Sequence, residues 1–232
     1  MTVLYDVRHE TVFKYADDVS VSQQLLRLTP RETYRQAILS STVDITPAAS
    51  LLTNDTDFFG NRVSHVGIQE RHRSLVLTAV SQVQVRAFPE ADLLGSSSWD
   101  LVVEQMLAPV DPRQLQAAVF CQASPHIDIV PGLAELTHDI FTPGRPILDA
   151  VKALTTRIYS DFKYEGGVTD VRTPVATVLG SRVGVCQDFA HLQIACLRYL
   201  GLPARYVSGY LLTAPAPGKE KLTGSDESHA WI

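Results

Sequence analysis

The chain has 232 residues, of which 45% are hydrophobic and 19% are charged, and its formal net charge is -5. That composition is typical of a globular protein able to bury a core, and the negative charge disfavours a nucleic-acid partner, which needs a basic face. The apolar runs are too short to cross a bilayer, so no membrane partner is expected. No signal-peptide pattern opens the chain and three cysteines make no disulfide framework, which predicts a reduced, cytoplasmic location.

Residues 1–92 are predicted to form a β-rich, sandwich-like module. Apolar and polar residues alternate over residues 3–12, and apolar side chains fill both faces of residues 75–80. Between two such runs, Gly60-Asn61 has the chemistry of a tight turn. Several short strands separated by turns, with no helical period, are typical of a sandwich.

Residues 93–145 are predicted to form a helical connecting region. Ser98 has the side chain of an N-cap for a first helix, and Asp111-Pro112 would begin a second helix with proline at its first helical position. A third helix is expected over residues 133–141. These helices would join the β module to the part of the chain that carries the chemistry.

Residues 146–232 contain the most informative pattern. After an amphipathic helix that begins at Ile147, a turn at Gly184 is expected to lead into a second helix near Cys186. Apolar residues lie on nearly all sides of this second helix, which predicts that it is buried at the centre of its domain, and Gly201 is placed to end it. The remaining predicted elements are a strand at residues 205–212, a polar loop at residues 214–227 and the opening of a strand at residues 228–232.

The position of Cys186 at a helix start suits a nucleophile. Cysteine reacts as the thiolate, and a helix N-terminus presents unpaired N–H groups with a partial positive charge that favours an anion there. The backbone N–H of the same residue could donate to a developing oxyanion. A nearby imidazole would take the thiol proton and later return it to a leaving amine.

The positions of the seven histidines indicate which of them could act as a base for Cys186. His191 lies five residues after Cys186, about 140° around the helix, so it does not face the thiol. His229 follows on a strand beyond the cysteine helix and is the histidine placed to come across the sheet. A second reading stays open, in which Cys186 is a small core residue, as free cysteines commonly are, and His229 is a surface strand residue. The histidines with no catalytic signal near them are His9, His65, His72, His126 and His138.

Three segments resemble the core of the bacterial transglutaminase-like superfamily, and they read GVCQDFAHL at residues 184–192, LGLPARYVSGY at residues 200–210 and SHAW at residues 228–231. Residues 1–92 are similar to the β-rich module that precedes this core in many members. The resemblance implies an α+β fold, with an N-terminal β-sandwich-like module, a helical middle and a papain-like core that is incomplete at its C-terminus. In such a core a central helix carries the cysteine and packs against an antiparallel sheet. The resemblance implies Cys186 as the nucleophile and His229 as its base.

The sequence departs from the family pattern in two ways. In relatives a third catalytic residue, usually Asp in an Asp-Pro pair, follows the His-Ala-Trp segment; it is absent here because the sequence stops at Ile232, so we expect a longer protein. Asp226 and Glu227 lie too close before the histidine to orient its ring in the same way. The tryptophan that cross-linking transglutaminases use at the oxyanion is missing, and Tyr164 either substitutes through its hydroxyl or packs in the core. Asp188 is either a second acid near the thiol or, as we prefer, a residue that favours the helix dipole.

These observations predict a cysteine enzyme that acts on an amide bond through a thioester, by hydrolysis as a protease or amidase rather than by protein cross-linking. Without the third residue, this form is expected to be weak or inactive. The alternative is a catalytically inactive member of the family that serves as a binding or scaffold protein. The expected substrate is a protein or peptide. The sequence has no paired-cysteine or His-Glu-x-x-His pattern and no phosphate-binding loop, so no metal or cofactor is expected.

Overall fold

The computed structural model describes residues 2–87, 89–212 and 228–232. The chain divides into two compact units, Met1–Ala91 and Asp92–Ile232, and each has its own hydrophobic core. The prediction that residues 93–145 form a separate connecting region stays a prediction.

Two antiparallel sheets of three strands each form the described part of the first unit. The strands are β1 (Thr2–Val19), β2 (Ser22–Leu26), β3 (Gln36–Thr46), β4 (Leu51–Thr56), β5 (Arg62–Ile68) and β6 (His72–Arg86). The strand orders are β1-β6-β3 and β2-β5-β4. Both sheets supply side chains to one core, which confirms the predicted β-sandwich-like module.

Alternation of side chains along β6 builds the core of the first unit. Leu75 and Leu77 are both buried, because side chains two residues apart on a strand point to the same face. They pack with Val66 and Ile68 of β5 and with Leu26 of β2. This cluster joins the two sheets.

The predicted turn at Gly60-Asn61 joins β4 to β5. Gly60 has a φ of 78°, a conformation that glycine adopts without a steric penalty. The carboxylate of Asp57 accepts hydrogen bonds from the N–H groups of Phe59 and Asn61 at 3.0 and 2.9 Å. An aspartate that binds the N–H groups of its own loop is typical of such turns. The prediction is confirmed.

The second unit is mainly helical, with two short two-stranded sheets in its described part. Its helices are α1 (Trp99–Leu107), α2 (Pro112–Ala118), α3 (Leu133–Thr137), α4 (Ile147–Asp161), α5 (Val175–Ser181) and α6 (Cys186–Tyr199). Its strands are β7 (Lys163–Tyr164), β8 (Val183–Gly184), β9 (Val207–Gly209) and β10 (His229–Trp231). β7 pairs with β8 in parallel, and β9 pairs with β10 in antiparallel fashion. Among the helices described, none combines the length and the apolar character that a membrane crossing requires.

Ser98 and Asp111 occupy the N-cap positions of α1 and α2, as predicted; the side chain of Asp111 accepts from the N–H groups of Arg113 and Gln114, whereas that of Ser98 forms no capping bond. Two other elements are shorter than the sequence predicts. α3 ends at Thr137, and turns follow it over residues 138–140. β9 covers only the middle of the strand predicted over residues 205–212. Its partner β10 has three residues, and a ladder extends only as far as its partner.

Helix α6 lies at the centre of the second unit, as its apolar pattern predicts. Buried side chains occupy 9 of its 14 positions, and α3, α4, α5 and β10 pack around it. Gly201 ends the helix with a φ of 81°, and the N–H of Leu202 donates to the carbonyl of Leu197 at 2.9 Å, which is the Schellman arrangement. This burial fixes the helix and therefore the position of its first residue, Cys186.

Candidate active site

The chain enters helix α6 through strand β8, which is held by its pairing with β7. The N–H of Glu165 donates to the carbonyl of Gly184 at 3.0 Å, two residues before Cys186. Gly184 therefore lies in a strand, and the turn predicted at this position is wrong. A glycine is required here for lack of space, because a Cβ at this position would lie 2.9 Å from both the Cβ and the Oδ2 of Asp188.

Asp188 closes the first turn of the helix. Its side chain is buried, and its Oδ2 accepts hydrogen bonds from the N–H of Val185 at 2.8 Å and from the hydroxyl of Thr169 at 2.7 Å. The bond to Val185 is one half of a capping box, since valine has no side-chain acceptor for the other half. A carboxylate in the first turn also stabilises the helix dipole, which agrees with the interpretation preferred from the sequence.

Thr169→Val should lower the free energy of unfolding by about 1.5 kcal/mol. Valine has nearly the same shape, so the change removes the hydroxyl that donates to the buried carboxylate of Asp188. Thr177→Val is the matched control, because Thr177 is exposed on α5, and it should stay within about 0.5 kcal/mol of the unsubstituted protein. The midpoint of urea unfolding at a constant m value measures both variants. Equal midpoints would show that the bond from Thr169 adds nothing.

Cys186 is the first residue of α6 and is half-buried. An N–H at this position has no acceptor one turn earlier in the helix, so it is available to an oxyanion. The hydroxyl of Tyr206 lies within electrostatic range of the thiol: burial raises the pKa of Tyr206, and negative charge on Cys186 and Asp188 raises it further. Cys196 is different, because it is fully buried and burial raises the pKa of its thiol to about 12.

Strand β10 brings His229 to the same helix. β10 packs against α6, and His229 is opposite Gly209 in the ladder with β9. The ring of Trp231 lies across Gly209, because a Cβ on that glycine would come within 2.7 Å of the ring's Cη2 atom. The cysteine helix and the histidine strand are therefore in contact, while the hydrogen bond between the two side chains stays a prediction. Asp226 and Glu227 lie outside the described residues.

Tyr164 lies beside the start of the helix. It is opposite Gly184 in the pairing of β7 with β8, and its ring centroid is 6.4 Å from that of Phe189 on α6. Its side chain is exposed, which argues against the alternative of core packing. Its role at the oxyanion stays a prediction.

Sequence reasoning missed a cavity of about 480 Å³ along one face of α6, from Gln187 to Arg198. His191 and Tyr206 line it, and the ring of His126 is stacked on that of His191 with centroids 5.6 Å apart. One signal was present, since Gln187, His191, Ile194 and Arg198 are spaced by four, three and four residues and so share one helix face. The contribution of His126 had no local signal.

A β module followed by a domain whose buried central helix begins with cysteine, and packs against a strand that begins with histidine, is typical of the transglutaminase-like class with a papain-like core. Family models agree with this class. Residues 5–84 match the bacterial transglutaminase-like N-terminal region, and residues 134–232 match the transglutaminase-like superfamily. The chain belongs to the bacterial transglutaminase-like family, which confirms the resemblance of its motifs.

Mycobacterial proteins are similar to this chain over nearly its whole length. It is 39% identical over 228 residues to uncharacterized proteins of Mycobacterium tuberculosis and Mycobacterium bovis, covering 98% of this chain and 72% of each relative. An uncharacterized protein of Mycobacterium leprae is 28% identical over 231 residues, covering 97% of this chain and 77% of the relative. The crystal structure of a "Putative Cysteine Protease" from Cytophaga hutchinsonii is similar with a TM-score of 0.73 at 20% identity, covering 100% of this chain and 74% of the other. That likeness confirms the α+β, papain-like fold.

Proposed function

We propose that this protein is a cysteine-dependent amide hydrolase that acts on a protein or peptide, with Cys186 as nucleophile and His229 as general base. One observation carries the proposal: a half-buried cysteine begins a buried helix, and the strand that begins with His229 packs against that helix. A thiol, a base and helix N–H groups are the parts that acyl transfer through cysteine requires. This chemistry needs no metal or cofactor, and a reduced cytoplasm would keep the thiol free.

The reaction begins when the imidazole of His229 takes the proton from Sγ of Cys186. The thiolate attacks the amide carbonyl carbon, a C–S bond forms, and the oxyanion accepts a hydrogen bond from the N–H of Cys186. In this proposal the hydroxyl of Tyr164 donates a second hydrogen bond. The imidazolium then gives its proton to the leaving nitrogen and the C–N bond breaks, which yields a thioester and a free amine.

Water completes the cycle. His229 takes a proton from the water whose oxygen attacks the thioester carbonyl, the C–S bond breaks, and the departing thiolate recovers its proton from the imidazolium. The products are a carboxylic acid and an amine. An amine in place of water would give a new amide, as in cross-linking. We favour water because Arg172 and Arg198 line the neighbouring cavity and would repel a protonated amine, and because the fold is similar to that of a protein described as a cysteine protease.

Trapping of the acyl-enzyme tests the proposal. The protein is mixed with a library of acetylated, amidated peptides, quenched in acid during the first turnovers, and mapped by mass spectrometry. We expect an acyl adduct on Cys186 and free carboxylic acid products. Cys121→Ser, which removes a thiol outside the site, should give the same adduct. Peptides that bind but are neither cleaved nor transferred to Cys186 would identify a non-catalytic binding protein instead.

A further inference from the structure

The cavity along α6 begins beside the nucleophile. Gln187 directly follows Cys186, and the helix residues that line the cavity extend from Gln187 to Arg198. At 1.5 Å per residue this stretch is about 16 Å long, which is enough for several residues of an extended peptide. Cys186 itself is not among the lining residues, but Tyr206 lines the cavity and lies within electrostatic range of Cys186, which places the cavity near the thiol.

The wall of the cavity is positive. Arg172 and Arg198 line it, and none of its described lining residues is an aspartate or a glutamate. The whole chain has 25 acidic residues against 20 lysines and arginines, so a lining with cations and no carboxylate differs from the rest of the protein. A concave site of this kind attracts an anion and excludes a cation.

His191 is a buried polar group that faces this space. It is 9% exposed, it lines the cavity, and its ring centroid is 5.6 Å from that of His126 and 5.2 Å from that of Tyr206. Neither of its ring nitrogens forms a hydrogen bond with another described residue. These nitrogens are not among the enclosed polar atoms that lack a partner, so they reach the cavity and are accessible to water or to a ligand there.

Arg172 and Arg198 differ in how many of their hydrogen-bond donors are available. The guanidinium of Arg198 donates to the carbonyls of Gln122 and Ala204, at 2.7 and 2.9 Å for its two terminal nitrogens, so its charge is held in place but most of its donors are occupied. Arg172 is exposed, and its side chain forms no ion pair with a described residue, so its fork of donors is available. A planar fork of donors suits a carboxylate.

We propose that this cavity is the substrate subsite for a carboxylate group, with Arg172 and His191 as its hydrogen-bond donors and Arg198 as further positive charge. The inference rests on the proposed function, because it names the part of the substrate that lies beside Cys186. The carboxylate comes either from an acidic side chain or from the free C-terminus of a peptide. The two sources share the same chemistry and are separated by the test.

Binding at this subsite should take up a proton. Burial, with a smaller contribution from the neighbouring His126, lowers the pKa of His191, and the carboxylate of Asp188 opposes this only in part, so the ring holds a proton less readily than a free imidazole. The other groups that face it across the cavity are Tyr206, Arg172 and Arg198. A carboxylate ligand adds a negative charge that favours the protonated ring, so affinity should rise as the pH falls towards the lowered pKa of this ring.

The test measures binding to the Cys186→Ala variant of the whole chain by calorimetry, so that it does not depend on turnover. One peptide pair is acetylated and amidated and differs by a central glutamate or glutamine. The second pair has three alanines and differs by a free or an amidated C-terminus. We expect about tenfold tighter binding of the carboxylate member in one pair, which identifies the source.

Matched variants assign the preference to the cavity. Arg172→Gln and His191→Gln should each reduce it about fivefold or more, and His191→Gln should also flatten its pH dependence. Lys152→Gln, which removes an exposed charge on α4, should leave it unchanged. Arg172 is exposed, so that variant is expected to fold even if His191→Gln does not. No preference in either pair, or a preference that both variants retain, would overturn the subsite while leaving acyl transfer to Cys186 intact. A carboxylate preference without any acyl adduct would support the subsite and contradict the proposed acyl transfer to Cys186.

Discussion

Cys186→Ala should lower kcat/KM for amide hydrolysis to the background rate, because the thioester can no longer form. His229→Ala should cause a loss of similar size, since an unpaired thiol has no base to take its proton and no acid to release the amine. The double variant should be no slower than either single variant, because nucleophile and base act as one unit. Progress curves for one peptide substrate, compared with the unsubstituted protein of the same length, measure all three.

Two controls separate chemistry from folding. Alanine is favourable in a helix, so Cys186→Ala should change the free energy of unfolding, obtained from the urea midpoint, by less than about 0.5 kcal/mol. Cys121→Ser should keep its activity, because Cys121 donates to the carbonyl of Gly201 at the opposite end of α6. A Cys186→Ala variant with activity within tenfold of the starting protein would rule out the thioester. A large loss of activity in Cys186→Ala with no loss in His229→Ala would support Cys186 as the nucleophile and exclude His229 as its base.

The sequence predicts the helix that positions the nucleophile because its signals are local. All-round apolar character over 14 residues requires burial, and Gly201 needs only its own φ to end the helix. The turn at Gly60-Asn61 is equally local, since Asp57 supplies the acceptor for its N–H groups. The strand that begins with His229 was also expected, and its pairing with β9 follows from the fold that the motifs imply.

What the sequence did not indicate depends on residues that meet through the fold. His126 and His191 are 65 positions apart, and no local pattern announces that their rings stack. The length of β9 depends on how far its partner extends, which its own residues do not encode. The sequence predicts a turn at Gly184 because glycine is common in turns. The structure shows a different reason for the glycine, since the side chain of Asp188 on the next element leaves no room for a Cβ.

Gly184→Ala should both destabilise the second unit and slow the reaction. A Cβ at this position would lie 2.9 Å from the Cβ of Asp188, an atom held by the helix backbone, so a flexible side-chain end cannot relieve the contact. Asp188 cannot swing away without losing its bonds to Val185 and Thr169. The start of α6 must therefore move, and Cys186 moves with it. We expect a loss of about 1–3 kcal/mol in the free energy of unfolding and of roughly 10- to 100-fold in kcat/KM.

Gly180→Ala is the matched control, because it makes the same chemical change one element earlier. Gly180 lies in helix α5 with no atom within 4 Å of the added Cβ, so alanine should be neutral or stabilise by up to about 1 kcal/mol and leave kcat/KM unchanged. The double variant Gly184→Ala, Thr169→Val tests whether both changes act on the carboxylate of Asp188. If they do, the two single losses in the free energy of unfolding should sum to more than the loss in the double variant. Strict additivity would place the effect of Gly184 elsewhere, and a Gly184→Ala variant as stable and active as Gly180→Ala would show that the start of α6 accommodates a methyl group without moving the thiol.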